Sequence, residues 1–197
     1  MQYHLTERFE EALVFAFRLH SQQNRKASQT PYFAHLMAVC ARVLEYTDNE
    51  DVAIAALLHD AAEDQGGLKV LEEIRQQFGN RVAEIVSDCS DTFQTPKPAW
   101  KARKTAFLEN IQQADPEAIL VILADKIHNL SSLERDLRRS GADIWSQFSG
   151  GKEGTLWYYH SLTEILKTSP YPYLNAEIQR LTAVVHRLAE QEEIASP

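Results

Sequence analysis

The chain has 197 residues, of which 44% are hydrophobic and 24% are charged, and this composition is typical of a soluble protein with one well-buried domain. It carries 20 Lys and Arg against 28 Asp and Glu, and the resulting net charge of −8 disfavours nucleic acid or an anionic membrane as a nonspecific partner. It has no apolar run of membrane-spanning length and no signal-peptide pattern, so we expect a cytoplasmic location. Cys40 and Cys89 lack metal-ligand spacing, and we expect them to be buried free thiols.

Apolar residues recur three and four positions apart along the chain, which predicts an all-α fold. We expect about ten helices packed as a single domain over residues 1–197. The first helix is predicted from Thr6, which can cap it, to His20. Its predicted buried stripe consists of Phe9, Leu13, Ala16, Phe17 and His20. A polar loop with Arg25 and Lys26 follows.

Pro31 is predicted to open the second helix, which carries His35. The third helix, capped by Asp48 or Asn49, is predicted to run without interruption to the glycine pair at residues 66–67. Within it, an apolar run over residues 53–58 is followed directly by the sequence His59-Asp60-Ala61-Ala62-Glu63-Asp64.

These ionisable side chains are unusual at the end of a buried run. A buried charge is unfavourable by several kcal/mol unless it is paired or bound to a metal. On a continuous helix His59 and Glu63 share one face, and Asp60 and Asp64 share another, because side chains four positions apart are neighbours. The pattern therefore indicates metal ligands followed, one turn later, by carboxylates that can handle protons.

The later helices are predicted over residues 68–78, 81–91, 99–113, 116–139, 153–168 and 174–194. The helix that Pro116 begins, with Asp115 as its cap, contains a second apolar run over residues 119–124. That run ends in Asp125, and Asn129 lies four residues later on the same face. Both apolar runs therefore end directly in ionisable side chains.

Four side chains are the candidate ligands of one divalent metal ion: His35, His59, Asp60 and Asp125. Two imidazoles and two carboxylates favour Mn²⁺, Fe²⁺, Zn²⁺ or Co²⁺ over Mg²⁺ or Ca²⁺. No histidine lies between His59 and His128, so we expect one metal ion and not two. A lone buried histidine is more often a hydrogen-bonded core residue, but the His59-Asp60 pair argues against that alternative.

Glu63 and Asp64 are the candidate catalytic residues, placed to orient a water molecule or move its proton. The alternative is a solvated helix end, although the helix dipole disfavours two carboxylates there. Asn129 could bond the carboxylate of Asp125, reach the substrate or lie on the surface. His128 is left open between core packing, support of a ligand and substrate contact.

Positive charge is concentrated at Arg25, Lys26, Lys97, Lys101, Arg103 and Lys104. Lys101 and Lys104 share one helix face, which suits phosphate groups, although a solvated surface is the alternative. Trp157, Tyr158 and Tyr159 could include a ring that stacks on a base, but core packing is the more common use of such side chains.

The order His35, His59-Asp60, Asp125 resembles the H…HD…D signature of HD-domain metal-dependent phosphohydrolases. The chain is more specifically similar to the hydrolase domain of the RelA/SpoT alarmone enzymes over about residues 5–135. The motifs that carry this similarity are Arg25-Lys26, residues 31–35 (PYFAH), residues 57–64 (LLHDAAED) and residues 123–130 (LADKIHNL). The length of the chain leaves no room for the synthetase domain of the long enzymes, so it resembles a stand-alone small alarmone hydrolase.

The resemblance implies a manganese-dependent hydrolase that removes the 3′-pyrophosphate from (p)ppGpp. It assigns the nucleotide contacts to Arg25 and Lys26; the metal to His35, His59, Asp60 and Asp125; and catalysis to Glu63 and Asp64, and the family's Asn after the second Asp motif falls on Asn129. Leu36, Gln65 and Lys126 depart from the common family residues, which leaves adenine alarmones or NADPH open as substrates.

Two other functions are compatible with the sequence. One is a general HD phosphatase acting on 5′-nucleotides or NADPH, which would release orthophosphate in place of pyrophosphate. The other is a nucleotide-sensing module without activity, which the presence of all ligands and of Glu63 and Asp64 disfavours. The sequence makes no prediction of the oligomeric state.

Overall fold

The computed structural model describes residues 4–195, and side chains as far as residue 191. This part of the chain forms α-helices joined by loops and two short 3-10 helices, Ile111–Gln113 and Gly141–Gln147, which were not predicted. The α-helices are α1 (Glu7–His20), α2 (Tyr32–Leu44), α3 (Glu50–Leu58), α4 (Ala61–Gln65), α5 (Leu68–Phe78), α6 (Asn80–Cys89), α7 (Trp100–Asn110), α8 (Pro116–Ser140), α9 (Gly151–Leu166) and α10 (Pro172–Ala195). The predicted all-α fold of about ten helices is confirmed.

Three of the predicted helix caps are present as hydrogen bonds. The side-chain oxygen of Thr6 accepts a bond from the backbone N–H two residues later at 3.2 Å, that of Asn49 does so at 3.0 Å, and that of Asp115 at 2.9 Å. Each cap satisfies at least one of the backbone donors that a helix N-terminus leaves without a partner, and Asp115 also accepts from Ala118 at 3.1 Å. Local sequence therefore determines where α1, α3 and α8 begin.

The apolar runs of α3 and α8 form the centre of the core. Residues 52–58 of α3 are at most 1% exposed, and α3 packs against α1, α2, α6 and α8. Residues 118–124 of α8 are also buried, and α8 packs against α2, α6 and α10 as well. No helix in residues 4–195 is long and apolar enough to cross a membrane.

The predicted continuous third helix is wrong. Residues 49–66 form two helices, because α3 ends at Leu58 and α4 begins at Ala61. At Asp60 the backbone has φ −97° and ψ −5°, and the His59 ring turns back to the carbonyl of Ala56 in the preceding turn. His59 and Glu63 therefore do not share one uninterrupted helix face.

Phe17 was also predicted wrongly as part of the buried stripe of α1. Its side chain is 52% exposed, and its ring meets the edge of Phe33 with 5.4 Å between centroids. The buried residues of α1 are Ala12, Ala16 and His20, which are spaced four apart. A residue next to Ala16 is turned by about 100° from that line on an α-helix, and Phe17 therefore projects sideways.

Candidate metal centre

Three helices bring three candidate ligands together. His35 lies in α2, His59 follows the last residue of α3, and Asp125 lies in α8 after its buried run. Their possible ligand atoms lie within 4.8 Å of one another. Asp125 Oδ1 is 3.3 Å from His35 Nε2 and 3.7 Å from His59 Nε2. The two histidines are 1% exposed and Asp125 is 5% exposed, so the cluster belongs to the protein interior.

Hydrogen bonds at Nδ1 orient the rings of His35 and His59 so that their Nε2 atoms face the carboxylates. His59 Nδ1 lies 2.8 Å from the carbonyl oxygen of Ala56, which can only accept, so Nδ1 carries the proton. Nε2 of His59 faces Asp60 Oδ2 at 3.0 Å, and although burial opposes protonation, Asp60 raises the pKa of His59 well above its ordinary value. The Nε2 atoms of His35 and His59 are buried and, among the described residues, have no hydrogen-bond partner. Two imidazole nitrogens and two carboxylates that converge in the interior can hold a cation between them, and these residues therefore fit a divalent metal.

His128, whose role the sequence left open, supports His35. The Nδ1 atoms of the two rings are 2.8 Å apart, so one of them donates a hydrogen bond to the other. Burial first, and then His35 and Arg25, lower the pKa of His128 to about 4, and its ring is therefore neutral near pH 7. A neutral His128 can accept the proton of His35 Nδ1, which leaves the Nε2 of His35 free to bind a metal.

Asp60 lies beside the cluster but outside the group of three. Its Oδ2 is 3.0 Å from His59 Nε2 and 3.5 Å from His35 Nε2. The same oxygen accepts a 2.7 Å hydrogen bond from the hydroxyl of Tyr32, at the start of α2. That bond orients the Asp60 carboxylate towards the two imidazoles, and Asp60 remains a predicted ligand.

Both oxygens of Asp125 have protein partners. Asn129 Nδ2 donates to Oδ1 at 2.5 Å, and Lys126 Nζ donates to Oδ2 at 2.5 Å. The amide oxygen of Asn129 in turn accepts a 2.7 Å bond from the guanidinium of Arg25. Arg25, Asn129 and Asp125 thus form a chain of hydrogen bonds from the polar loop after α1 to the metal centre.

The electrostatics of the cluster favour a bound cation. Burial alone would raise the pKa of Asp125, but Lys126 and the two imidazoles lower it well below its usual range. Burial likewise opposes ionisation of Asp60, and the imidazoles of His59 and His35 lower its pKa well below the usual range. Two ionised carboxylates in the interior therefore surround a point that attracts positive charge.

Glu63 and Asp64 lie in the five-residue helix α4 and share one cation. Lys97 Nζ is 2.9 Å from Glu63 Oε1 and 3.4 Å from Asp64 Oδ1. Glu63 Oε2 also accepts a 3.2 Å bond from the backbone N–H of Asp91. Burial first, and then the charges of Asp91 and Asp60, raise the pKa of Glu63 despite the opposing effect of Lys97. A glutamate with a raised pKa suits proton transfer near neutral pH.

The predicted basic cluster has several separate partners. Arg103 and Lys104 both pair with Asp91 Oδ2, at 2.5 and 2.9 Å, and the side chain of Asp91 is 2% exposed. The ammonium of Lys101 lies 2.7 Å from the ring centroid of Trp157, and Lys26 is exposed. Lys101 and Lys104 therefore do not converge on one phosphate-sized position, and substrate binding by these two residues stays a prediction.

The aromatic residues of α9 divide between core and partial exposure. Tyr158 is 4% exposed and Tyr159 is 8% exposed, in agreement with core packing. Trp157 is only partly buried and lies 6.3 Å, between ring centroids, from Trp100 of α7. Gly150 and Gly154 leave room for the Trp100 indole, because an added Cβ would approach that ring to 2.7 and 3.0 Å.

Comparison with known proteins identifies the family. The chain matches the HD domain family over residues 12–156. This chain belongs to the HD-domain family. The HD-domain chain is 40% identical over 141 residues to guanosine-3′,5′-bis(diphosphate) 3′-pyrophosphohydrolase MESH1 of Xenopus tropicalis, covering 70% of this chain and 73% of that protein. The human protein of the same name is 39% identical, with the same coverage.

A solved structure has a fold similar to that of this HD-domain chain. It is described as a metazoan ortholog of SpoT that hydrolyses ppGpp and has a role in starvation responses. It superimposes with a TM-score of 0.75 at 25% identity and covers 92% of this chain and 97% of that one. The resemblance to HD-domain and SpoT-like hydrolases that the motifs carry is therefore confirmed.

Sequence reasoning did not find Tyr32, Gln23 and Asp91, which contact the ionisable residues of this HD-domain site. Tyr32 bonds to Asp60, Gln23 to Asp64, and the backbone of Asp91 to Glu63. Tyr32 lies three residues before His35, so the same helix presents both, and that spacing was a usable signal. Gln23 and Asp91 lie in loops whose partners are 41 and 28 residues away, and no local pattern reveals such contacts.

Proposed function

We propose that this protein is a metal-dependent hydrolase that removes the 3′-pyrophosphate from guanosine 3′,5′-bis(diphosphate) and its 5′-triphosphate analogue. The observation that carries the proposal is the buried cluster of His35, His59 and Asp125, with two unpartnered imidazole nitrogens, in a chain 40% identical to a protein of that name. We further propose that residues 1–197 act as one cytoplasmic HD-type domain, a proposal supported by the packing of α8 against α2, α3, α6 and α10.

His35, His59, Asp60 and Asp125 are the proposed ligands of one divalent ion, and Mn²⁺ is the proposed ion. Mixed imidazole and carboxylate donors suit Mn²⁺ among the borderline ions. A bound divalent ion lowers the pKa of water and polarises phosphoryl oxygens. His128, Tyr32 and Asn129 orient the ligands through their hydrogen bonds.

Glu63 and Asp64 are the proposed catalytic residues. A water oxygen bonds to the phosphorus linked to the 3′ oxygen, and the bond between that phosphorus and the 3′ oxygen breaks. Glu63 accepts the proton of the water, and the released 3′ oxygen takes up a proton. Asp64 orients the attacking water, and the diphosphate leaves as pyrophosphate. The raised pKa of Glu63 supports its role as the base, because a base is most effective when its pKa approaches the working pH.

Five side chains are the proposed substrate contacts: Arg25, Lys26, Asn129, Lys101 and Lys104. Arg25 is half-buried and held by Asn129, so its guanidinium is oriented at the edge of the site. Lys97 pairs with Glu63 and Asp64 and can exchange them for phosphate oxygens. Cations are needed here because the chain has a net charge of −8 and the substrate is an anion.

The test is incubation of the protein with Mn²⁺ and a panel of ppGpp, pppGpp, ppApp, NADPH and 5′-nucleotides. Released pyrophosphate and orthophosphate are measured separately. We expect pyrophosphate from ppGpp and pppGpp, and no orthophosphate from the 5′-nucleotides. Orthophosphate release from NADPH or a 5′-nucleotide, without pyrophosphate from ppGpp, would establish the general phosphatase. Tight ppGpp binding without any product would establish the sensing module.

A further inference from the structure

A neutral side chain from outside the HD motif holds the second candidate catalytic carboxylate. Gln23, in the loop after α1, donates a 2.9 Å hydrogen bond from Nε2 to Asp64 Oδ2. An ionised carboxylate can only accept, so the amide nitrogen of Gln23 must be the atom that faces it. The amide oxygen of Gln23 consequently points the other way, towards the interior.

Two further residues bind that amide oxygen. Gln65 Nε2 donates to it at 2.5 Å, and His20 Nδ1 lies 2.7 Å from it. His20 is 1% exposed, and burial lowers its pKa, so its ring is neutral and must carry its proton on Nδ1 to make this bond. The His20 ring also stacks on Tyr32 at 5.3 Å. The bonds to its oxygen and its nitrogen therefore fix the orientation of the Gln23 side-chain amide.

The two oxygens of Asp64 are held by partners of different kinds. Lys97 reaches Oδ1 at 3.4 Å, and its side chain is 39% exposed. Lys97 is a cation that phosphate groups compete for, whereas the amide of Gln23 is neutral and fixed by His20 and Gln65. When an anionic substrate binds and attracts Lys97, the bond from Gln23 is the contact that keeps Asp64 in place.

We propose that Gln23 is a positioning residue that orients the carboxylate of Asp64, and that Gln65 locks Gln23 in its working rotamer. The proposal rests on the proposed function of the same site and names two residues to which that function assigns no role. It also gives a physical reason for Gln65, at which this chain departs from the common residue of RelA/SpoT enzymes. The side chain of Gln65 reaches from α4 to the loop after α1.

A double-mutant cycle tests the role. Gln23→Ala should lower kcat about tenfold with little change in KM, which is the scale of a hydrogen bond to a charged group. In an Asp64→Asn background the same change should lower kcat less than about twofold, because the bond partner is already altered. Gln23→Glu keeps the length of the side chain but has no donor, and it should lower kcat at least as much as Gln23→Ala. The exposed neighbour Gln22 provides the matched control, and Gln22→Ala should retain wild-type kcat.

The variant Gln65→Thr tests whether Gln65 acts by fixing the Gln23 side chain or only by packing against its neighbours. It should lower kcat about threefold in the wild type and have no further effect on the Gln23→Ala variant, since coupled residues lose their interaction only once. An equal loss from Gln23→Ala in wild-type and Asp64→Asn backgrounds would overturn the proposal. Wild-type kcat in both Gln23→Ala and Gln23→Glu would overturn it as well.

A second measurement uses neither metal nor substrate. The side-chain amide resonances of Gln23, assigned by their loss in Gln23→Ala, should shift in Asp64→Asn and in Gln65→Thr but not in the exposed control Asp143→Asn. Unchanged resonances in Asp64→Asn would show that the contact is absent. If the substrate panel identifies another nucleotide, the cycle is run on that nucleotide, so an incorrect substrate and an incorrect role for Gln23 give different results.

Discussion

The two sides of the site are built in different ways. The metal side takes His35, His59 and Asp125 from helices that form the centre of the core, and none of them is more than 5% exposed. The carboxylate side takes Glu63 and Asp64 from the five-residue helix α4, beside loops. Its cation Lys97 has a side chain that is 39% exposed.

The two sides also differ in how their polar groups are satisfied. On the metal side two buried imidazole nitrogens lack hydrogen-bond partners among the described residues. On the carboxylate side Glu63 and Asp64 are both bonded, to Lys97 and to one further group each. On the proposed function, the metal side is preorganised for an ion that its side chains would bind directly, whereas the carboxylate side would exchange partners when a substrate enters.

Loss of a buried ligand should have the largest effect. Asp125→Ala should weaken Mn²⁺ binding by more than about 10²-fold and abolish turnover, because even the partners of metal ligands change affinity 10- to 100-fold. Calorimetric titration with Mn²⁺ measures the change, and Asp143→Ala on the surface is the control. Wild-type affinity for Mn²⁺ in Asp125→Ala would show that Asp125 of α8 is not a metal ligand.

The next largest effect should separate the two sides. Glu63→Gln should lower kcat by about 10²-fold or more while Mn²⁺ binding stays at the wild-type level, since a general base contributes on that scale. Single-turnover kinetics and metal titration are measured on the same preparation, with the exposed Glu153→Gln as a control. Unchanged turnover would exclude Glu63 as the base.

His128 tests whether the metal side depends on its hydrogen-bonded support. His128→Phe keeps a ring of similar size but removes the acceptor for His35 Nδ1. We expect Mn²⁺ affinity to fall about tenfold, with the thermal midpoint of the metal-free protein little changed. Equal metal affinity in His128→Phe and wild type would mean that His35 keeps its orientation through packing alone.

The smallest effect is a shift in the pH profile on the carboxylate side. A base acts only when deprotonated, so the raised pKa of Glu63 places the acid limb of kcat above the ordinary glutamate value of about 4.3. Asp91→Asn removes a negative charge that raises this pKa, and the limb should move to lower pH. Lys97→Gln removes a positive charge that lowers it, and the limb should move to higher pH. Shifts of the same sign in both variants would contradict this account.

Sequence reasoning predicted the metal side better than the carboxylate side, for a physical reason. His35, His59 and Asp125 interrupt apolar helix faces, and a polar residue in such a position is detectable from helical periodicity alone. His20 gave the same signal in α1, and its burial was predicted, but its bond to Gln23 was not. Contacts such as that of Gln23 with Asp64 depend on how loops meet in space.

The break between α3 and α4 shows the limit of the periodic argument. The composition of residues 53–64 is compatible with a continuous helix, and nothing in its spacing marks an end at Leu58. The His59 ring bonds locally to the carbonyl of Ala56, three residues earlier, and the tertiary contacts at the break include the bond from the Tyr32 hydroxyl of α2 to the side chain of Asp60. Such contacts override local propensity, and they become visible only in the folded chain.

The hydrogen-bond chain from Arg25 through Asn129 to Asp125 has a thermodynamic consequence. On the proposed function, a phosphate that engages Arg25 would alter the bond to Asn129 and, through it, the electron density that Asp125 offers to a cation. Occupancy of the proposed nucleotide position and occupancy of the proposed metal position would then be linked functions. Linkage is reciprocal, so whatever factor the nucleotide imposes on metal affinity, the metal imposes on nucleotide affinity. Along this chain of hydrogen bonds, the coupling would pass through one side chain, that of Asn129.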